Sequence, residues 1–263
     1  MRNLKVIISY NGTNYHGFQI QPNAVTIQGI IEIALLTLLG EKTVITGCSR
    51  TDAGVHAREF CFNMKTTSTI PNDGFVRGLN ALLPNDVAVH SCEEVDDEFH
   101  ARYSAKSKEY FYLIYNEKIR DVFMQNLAYF YNRPLNLEIM QQAADLFIGE
   151  YDFSAYCKAE SLETVKQKKH GAIREIYDIR IVGAGSARPQ NCIKIVIHGN
   201  GFLHNMVRIL SGTLINVSED KLTLDDVRES LSWENHFDTS RRETAGVTLP
   251  SHGLYLNRVF YEE

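Results

Sequence analysis

The sequence predicts an α+β protein made of two ferredoxin-like (βαββαβ-type) halves, joined in an extended, mostly antiparallel sheet. Three observations predict it. Short strand patterns alternate with amphipathic helices in the order β-α-β-β-α-β, the same order returns after Ala105, and no residue-level repeat accompanies the return. In the first half, "LKVIISY" reads as a buried strand. "TIQGIIEIALLTLLG" follows as a helix with Ile27, Ile30, Ile31, Ala34, Leu35 and Leu38 on one face, Thr26 as N-cap and Gly40 as stop. "TVITGC" and "EFCFNMK" alternate as strands, "NDGFVRGLNALLP" is a helix capped by Asn72 or Asp73 and ended at Pro84, and "DVAVHSCEEV" is a strand. The second half offers strand "KEYFYLIYN", helix "NLEIMQQAADLFIG", strands "AIREIYDIRIV" and "CIKIVIHG", helix "HNMVRILSGTLINV" and a closing strand "GLYLNRVFYE". An added helix, "TLDDVRESLSWE", opens on a Thr-x-x-Asp capping box. This divides the chain into an N-terminal domain, 1–105, and an enlarged C-terminal domain, 106–263, with an expected cleft between them, a common place for ligands.

Composition narrows the class. With 263 residues at 44% hydrophobic, the chain has enough apolar material for two modest cores. No window approaches the roughly 18 consecutive apolar residues that a membrane span requires, and no apolar stretch follows the basic residue near the start. The five cysteines, Cys48, Cys61, Cys92, Cys157 and Cys192, are scattered and never spaced Cys-x-x-Cys. That argues against a disulfide framework and a zinc site, and for a reducing cytoplasm. The net charge is −5, with 8 basic against 11 acidic residues up to Ala105 and 19 against 21 after it. Neither half is a basic domain, so an anionic partner must be met by a local patch. "KAESLETVKQKKHGAIR", with Lys158, Lys166, Lys168, Lys169, His170 and Arg174, is the candidate patch, although a solvated loop is the plainer reading.

One loop is longer than its connection needs. "GCSRTDAGVHAREF" joins two strand patterns where a two-residue hairpin would suffice, and it carries Arg50, Thr51, Asp52, Gly54 and His56. Asp52 before Gly54 is, in the plainer reading, an Asx-turn cap, and His56 a surface histidine. Arg50 adds something to that reading. A carboxylate beside a guanidinium stays ionised to low pH, which makes it a poor proton donor and a competent nucleophile or oxocarbenium stabiliser. Such a group suits chemistry at an electrophilic sugar carbon, although no second carboxyl of the glycosidase kind is evident on neighbouring loops.

With these residues in view, the chain resembles the TruA family of tRNA pseudouridine synthases. "SRTDAGVHA" is similar to that family's signature, and further blocks follow in order: "YNGTNYHGFQIQPNAVTIQG" before it, then "NALLPNDVAV", "FHARYSAKSKEYFYLIYN", "NGFLHNMVRILSGTL" and "RRETAGVTLPSHGLYL". The resemblance implies that Asp52 is the catalytic aspartate, that Tyr110 stacks on the target base, and that Arg50 helps extrude the nucleotide. It further implies that Arg208 pairs with the aspartate, and that Gly253, Leu254 and Tyr255 line the uracil pocket. Apart from it, Tyr110 reads as an alternating sheet residue, Arg208 as a solvated helix position and Leu254 as core.

The implied reaction is isomerisation of uridine to pseudouridine in the anticodon stem-loop of tRNA at positions 38, 39 and 40. It breaks C1′–N1 and rejoins the uracil through C5 with no net change in atoms or oxidation state, so no cofactor or metal is expected. The implied partners are the tRNA anticodon arm, gripped by shape and phosphates through the 158–170 stretch and the Arg241, Arg242 pair, and a second copy in a homodimer. The sequence departs from the family pattern at Phe18, at Ser49 and around Lys166 to Gly171, which touches tRNA selection rather than reaction type. Two other readings stand beside it. A non-catalytic RNA-binding protein of the same fold has no need of Asp52, and a base-exchanging transglycosylase pairs its aspartate with a barrel and zinc-binding cysteines.

Overall fold

The computed structural model describes residues 1–167, 170–183, 191–232 and 239–262, with the side chains of 239–241 left aside. The chain is an α+β protein whose strand pairs are mixed but mostly antiparallel. It forms two compact units, Met1–Lys108 with Tyr255–Glu263, and Glu109–Leu254. Among the described residues, no helix is long and apolar enough to cross a membrane.

The first unit runs β1 (Arg2–Tyr10), α1 (Ile27–Leu39), β2 (Thr46–Gly47), β3 (His56–Thr66), α2 (Asn72–Leu82) and β4 (Val87–Val95). β1 is central, antiparallel to β3 on one side and β4 on the other, and it buries Leu4, Val6, Ile8 and Tyr10 in strict alternation. α1 forms as its signals require. The Thr26 hydroxyl accepts from the Gly29 N–H at 3.3 Å, Gly40 ends the helix at φ +72°, and Ile27, Ile31, Ala34 and Leu35 are buried. Each such side chain contributes about 1.5–3 kcal/mol on leaving water.

Two local expectations differ from the structure. α2 has Pro71 at its N-cap with no side-chain cap, because the Asn72 carboxamide oxygen instead accepts from Arg2 Nη2 at 2.7 Å; Asp73 lies in the first turn, where its charge suits the helix dipole. The six residues "TVITGC" read as one strand, yet only Thr46 and Gly47 form β2. The Ile45 main chain is taken by α1 instead, its N–H donating to Glu32 Oε1 at 3.2 Å and its carbonyl accepting from Gln28 Nε2 at 3.4 Å. β10 (Leu254–Phe260) takes the same edge of β3, running parallel to it with Tyr255 opposite His56 and Leu256 opposite Ala57, while β2 meets β3 further on at Asn63 and Phe62. β10 is fastened by an Arg258–Glu59 ion pair at 2.7 and 2.9 Å and by the Tyr261 hydroxyl donating to the Ala101 carbonyl at 2.7 Å.

The second unit begins within β5 (Ser107–Asn116) and continues through β6 (Tyr129–Tyr131), α3 (Leu137–Asp145), β7 (Gly149–Asp152), α4 (Leu162–Lys166), β8 (Ile173–Val182), β9 (Cys192–Gly199), α5 (Met206–Ser218) and α6 (Leu224–Ser230). Its strands lie in the order β5-β9-β8-β7, with β6 parallel to β5. α3 packs on β8 and α5. α5 is buried on nearly every face; its run "MVRILSGTLINV" is mostly apolar, and the buried Ser211 and Thr213 hydroxyls donate to the Val207 and Ile209 carbonyls of the helix itself. The expected capping box opens α6, with Thr223 and Asp226 bonded reciprocally at 3.1 and 2.7 Å; the end of the expected helix, from Trp233, lies outside the described residues.

Candidate active site

In the first unit the loop between β2 and β3 is held by its backbone. The Phe18 N–H donates to the Thr51 carbonyl at 3.1 Å, the Gly54 N–H to the Tyr15 carbonyl at 3.2 Å, and the Val55 N–H to the Asp52 carbonyl at 3.1 Å, closing the turn at Gly54. Thr51 is buried, its hydroxyl 2.8 Å from the Tyr10 hydroxyl. Gly17, at φ +87°, lies so close that a Cβ there would stand 2.4 Å from the Thr51 carbonyl oxygen. Arg50 is thereby presented to solvent and Asp52 half-buried, on either side of a buried threonine.

His56 corrects an expectation. It is no surface histidine but 1% exposed, its Nδ1 accepting from the Gly12 N–H at 3.0 Å and its ring stacked on Tyr255 at 4.5 Å. Accepting that bond requires an Nδ1 without a proton, so His56 serves the loop as a spacer between β10 and the Gly12 turn.

The other expected residues lie in the second unit. Tyr110 is buried on β5, its ring edge-on to Phe202 at 5.1 Å. Arg208, half-buried on α5, donates through Nε to the Leu249 carbonyl at 2.6 Å and through Nη1 to Asn205 Oδ1 at 2.8 Å. Leu254 is 7% exposed. Sequence reasoning missed Tyr112 and His252 beside them. The Tyr112 hydroxyl donates to the Pro250 carbonyl at 2.7 Å, and a Cβ at Gly253 would meet its ring at 2.6 Å, so "PSHG" is moulded around that ring. Burial raises the Tyr112 phenol's pKa and outweighs the downward pull of Arg208. The imidazole of His252 is lowered below its ordinary value, first by burial and then by the Arg208 charge. The signal for Tyr112 was its spacing, two residues from Tyr110 on one face of a strand; His252 had none.

The expected RNA-gripping cations are distributed otherwise. Lys158 lies 3.8 Å from Glu160 and Lys166 2.8 Å from Glu163. Arg242 turns inward to the Gly246 carbonyl at 2.8 Å and the Thr248 hydroxyl at 3.0 Å. Lys168, Lys169 and the side chain of Arg241 lie outside what the structure describes. Among the described residues, no group of three or more His, Cys, Asp or Glu side chains is placed to hold a metal ion.

Comparison with known proteins adds a second line of observation. The family model described as "tRNA pseudouridine synthase" matches residues 6–104 and 143–262, a span that holds Arg50, Asp52, Arg208 and Leu254 but not Tyr110. Proteins called tRNA pseudouridine synthase A align over 261 residues, 99% of this chain and 100% of their own. They are 43% identical in Ruminiclostridium cellulolyticum and 42% in both Acetivibrio thermocellus and Caldicellulosiruptor bescii.

Proposed function

The chain belongs to the tRNA pseudouridine synthase family, and on that premise we propose that it converts uridine to pseudouridine at positions 38, 39 and 40 of the tRNA anticodon arm, with Asp52 as its catalytic carboxylate. Isomerisation of uridine in tRNA is the activity that this full-length likeness establishes. It sets aside the non-catalytic RNA-binding reading. The positions, the residue roles and the assembly are the part proposed.

The observation that carries the proposal is the alignment of the whole chain, the Arg50–Asp52 loop included, with enzymes of one name and one length. Cleaving C1′–N1 leaves an electron-poor ribose carbon. An ionised Asp52 beside it either bonds to C1′ or takes the C2′ proton, and both routes end with C5 of the turned uracil on C1′ and its proton removed. A paired uridine must first leave its stack, which costs a few kcal/mol. Arg50, carried at the exposed side of the loop, is assigned to that step, and Tyr110 to stacking on the base. Arg208 is assigned to pairing with the aspartate, and Leu254 to the uracil pocket. In this reading two ferredoxin-like halves share the work, the N-terminal one bearing the loop and the C-terminal one completing the site. A cytoplasmic homodimer, whose assembly sedimentation velocity reads directly, is proposed from the resemblance alone.

Asp52→Asn tests the central role. The amide has almost the same shape and is a far weaker nucleophile, so tRNA binding should persist while turnover drops by about 10²–10⁴-fold or more. Tritium release from tRNA labelled at C5 of uridine measures it. Release at the wild-type rate in that variant would refute the assignment.

A further inference from the structure

Asp52 lies between two anchors, and both are fastened to the same short piece of chain. Before it, the Thr51 hydroxyl stands 2.8 Å from the hydroxyl of Tyr10, the last residue of β1, and both side chains are buried. After it, His56 Nδ1 accepts from the Gly12 N–H at 3.0 Å. Gly12 approaches the loop so closely that a Cβ there would stand 2.0 Å from the Val55 carbonyl oxygen. Residues 10–12 therefore hold the loop on both sides of Asp52.

The sheet prepares the first of these anchors. Between the Ile8–Phe60 pair and the Tyr10–Ala57 pair, β3 advances one residue more than β1, a bulge next to the loop. Such bulges re-aim a side chain from the direction the regular pleat would give it. The Tyr10 ring then packs on Phe60 at 5.6 Å, which gives its hydroxyl a set place for Thr51 to meet. The main-chain bonds of the loop fix its path, with the Thr51 carbonyl accepting from the Phe18 N–H at 3.1 Å. A carbonyl accepts over a broad range of directions, so that bond by itself lets the residue rock. A second bond from the side chain of the same residue removes this freedom.

We propose that Thr51 is a positioning residue: its hydroxyl, pinned to Tyr10, sets the direction in which the adjoining Arg50 and Asp52 side chains leave the loop. The proposal rests on the reading of Asp52 as the catalytic carboxylate, and it gives Tyr10 and Thr51 a part in that chemistry without contact with the substrate. Small displacements matter here, because an error of about 1 Å in a reacting group can cost 10²-fold in rate.

The test compares Thr51→Val, Tyr10→Phe, the two together and Thr51→Ser by Tm, by tRNA binding, and by tritium release well below the lowest Tm. Thr51→Val keeps the branched shape and loses the hydroxyl, so kcat should fall about 10- to 100-fold while the tRNA Kd stays within about twofold of wild type. Tyr10→Phe cuts the same bond from its other end with the ring still against Phe60, and it reads the bond even if Thr51→Val misfolds. The double variant should lose no more kcat than the worse single one, since there is one bond to cut. Thr51→Ser restores the hydroxyl and should recover most of the loss, whereas a space-filling role would favour valine over serine. Wild-type kcat in both Thr51→Val and Tyr10→Phe, or a Thr51→Ser slower than Thr51→Val, would overturn the inference and leave the function intact. Losses that multiply in the double variant would overturn it equally, because the two hydroxyls would then act separately. A wild type that releases no tritium from tRNA would instead sink the functional reading beneath it.

Discussion

The loop of the first unit and the "PSHGL" corner of the second both carry expected site residues, but they are built on opposite plans. The loop is held through its backbone: main-chain bonds from Phe18, Gly54 and Val55 fix its path, and the side chains of Arg50 and Asp52 are not needed for those bonds. The corner is held through side chains, with Arg208 on the Leu249 carbonyl and the Tyr112 hydroxyl on the Pro250 carbonyl. Where the main chain does the holding, replacing a side chain should leave the path of the chain alone. Where a side chain does the holding, replacing it confounds structure with function. Asp52 and Arg208 therefore differ in what their variants can teach, even if both touch the substrate.

The largest effect should come from disturbing the main chain of the loop. Gly17→Ala meets two penalties, a positive φ worth about 1–3 kcal/mol and a methyl group pressed against the Thr51 carbonyl, which cannot yield without moving Asp52. Gly40→Ala meets the first penalty alone, since a Cβ at Gly40, at φ +72°, has nothing within 4 Å. Both variants should melt earlier than wild type, and only Gly17→Ala should also lose kcat well below its melting range. Equal kcat in the two would show that the close approach at Gly17 does not set the loop's working geometry.

An intermediate effect should separate two tyrosines of one strand face. Tyr112→Phe leaves the half-buried Pro250 carbonyl without its donor and should cost about 1 kcal/mol, a Tm loss of a few degrees, whatever its effect on turnover. Tyr110→Phe keeps the ring against Phe202, so its turnover reads the hydroxyl with the ring packing in place. Full turnover by Tyr110→Phe would remove any proton-transfer role from its hydroxyl and leave stacking intact. A Tyr112→Phe variant that melts with wild type would show that the bond to the Pro250 carbonyl does not hold the corner.

How much of this was legible beforehand depended on distance along the chain. α1 was readable to within a residue because Thr26, Gly40 and the apolar face between them act within a few turns of one another. β2 was not, because the Ile45 main chain that should extend it bonds instead to the Glu32 and Gln28 side chains of α1. A distant strand, β10, explains His56, whose burial depends on a stacking partner no local pattern announces. The loop by itself suggested an ionised Asp in a turn, and only the ordered blocks along the chain made Asp52 a catalytic candidate. Charge patterning said least: in the lysine-rich stretch Lys158 lies 3.8 Å from Glu160 and Lys166 2.8 Å from Glu163, while Lys168 and Lys169 lie outside the described residues.

The smallest expected effect reads the side-chain plan of the corner through pH. His252 has a folded-state pKa below its ordinary value, from burial first and the Arg208 charge second. Above the unfolded pKa of about 6.5 the imidazole is neutral in both states and adds no pH dependence. As pH falls through that value the unfolded chain takes up a proton that the folded chain resists, so stability declines until the folded imidazole is protonated too. His252→Gln should therefore lose less stability than wild type between pH 7.5 and 5, with the two converging at the alkaline end. Denaturant titrations at each pH give the difference directly, and other histidines cancel in it. Parallel curves for the two proteins would mean that His252 does not feel the Arg208 guanidinium, and would remove the electrostatic half of the corner while leaving its hydrogen bonds to Leu249 and Pro250 in place.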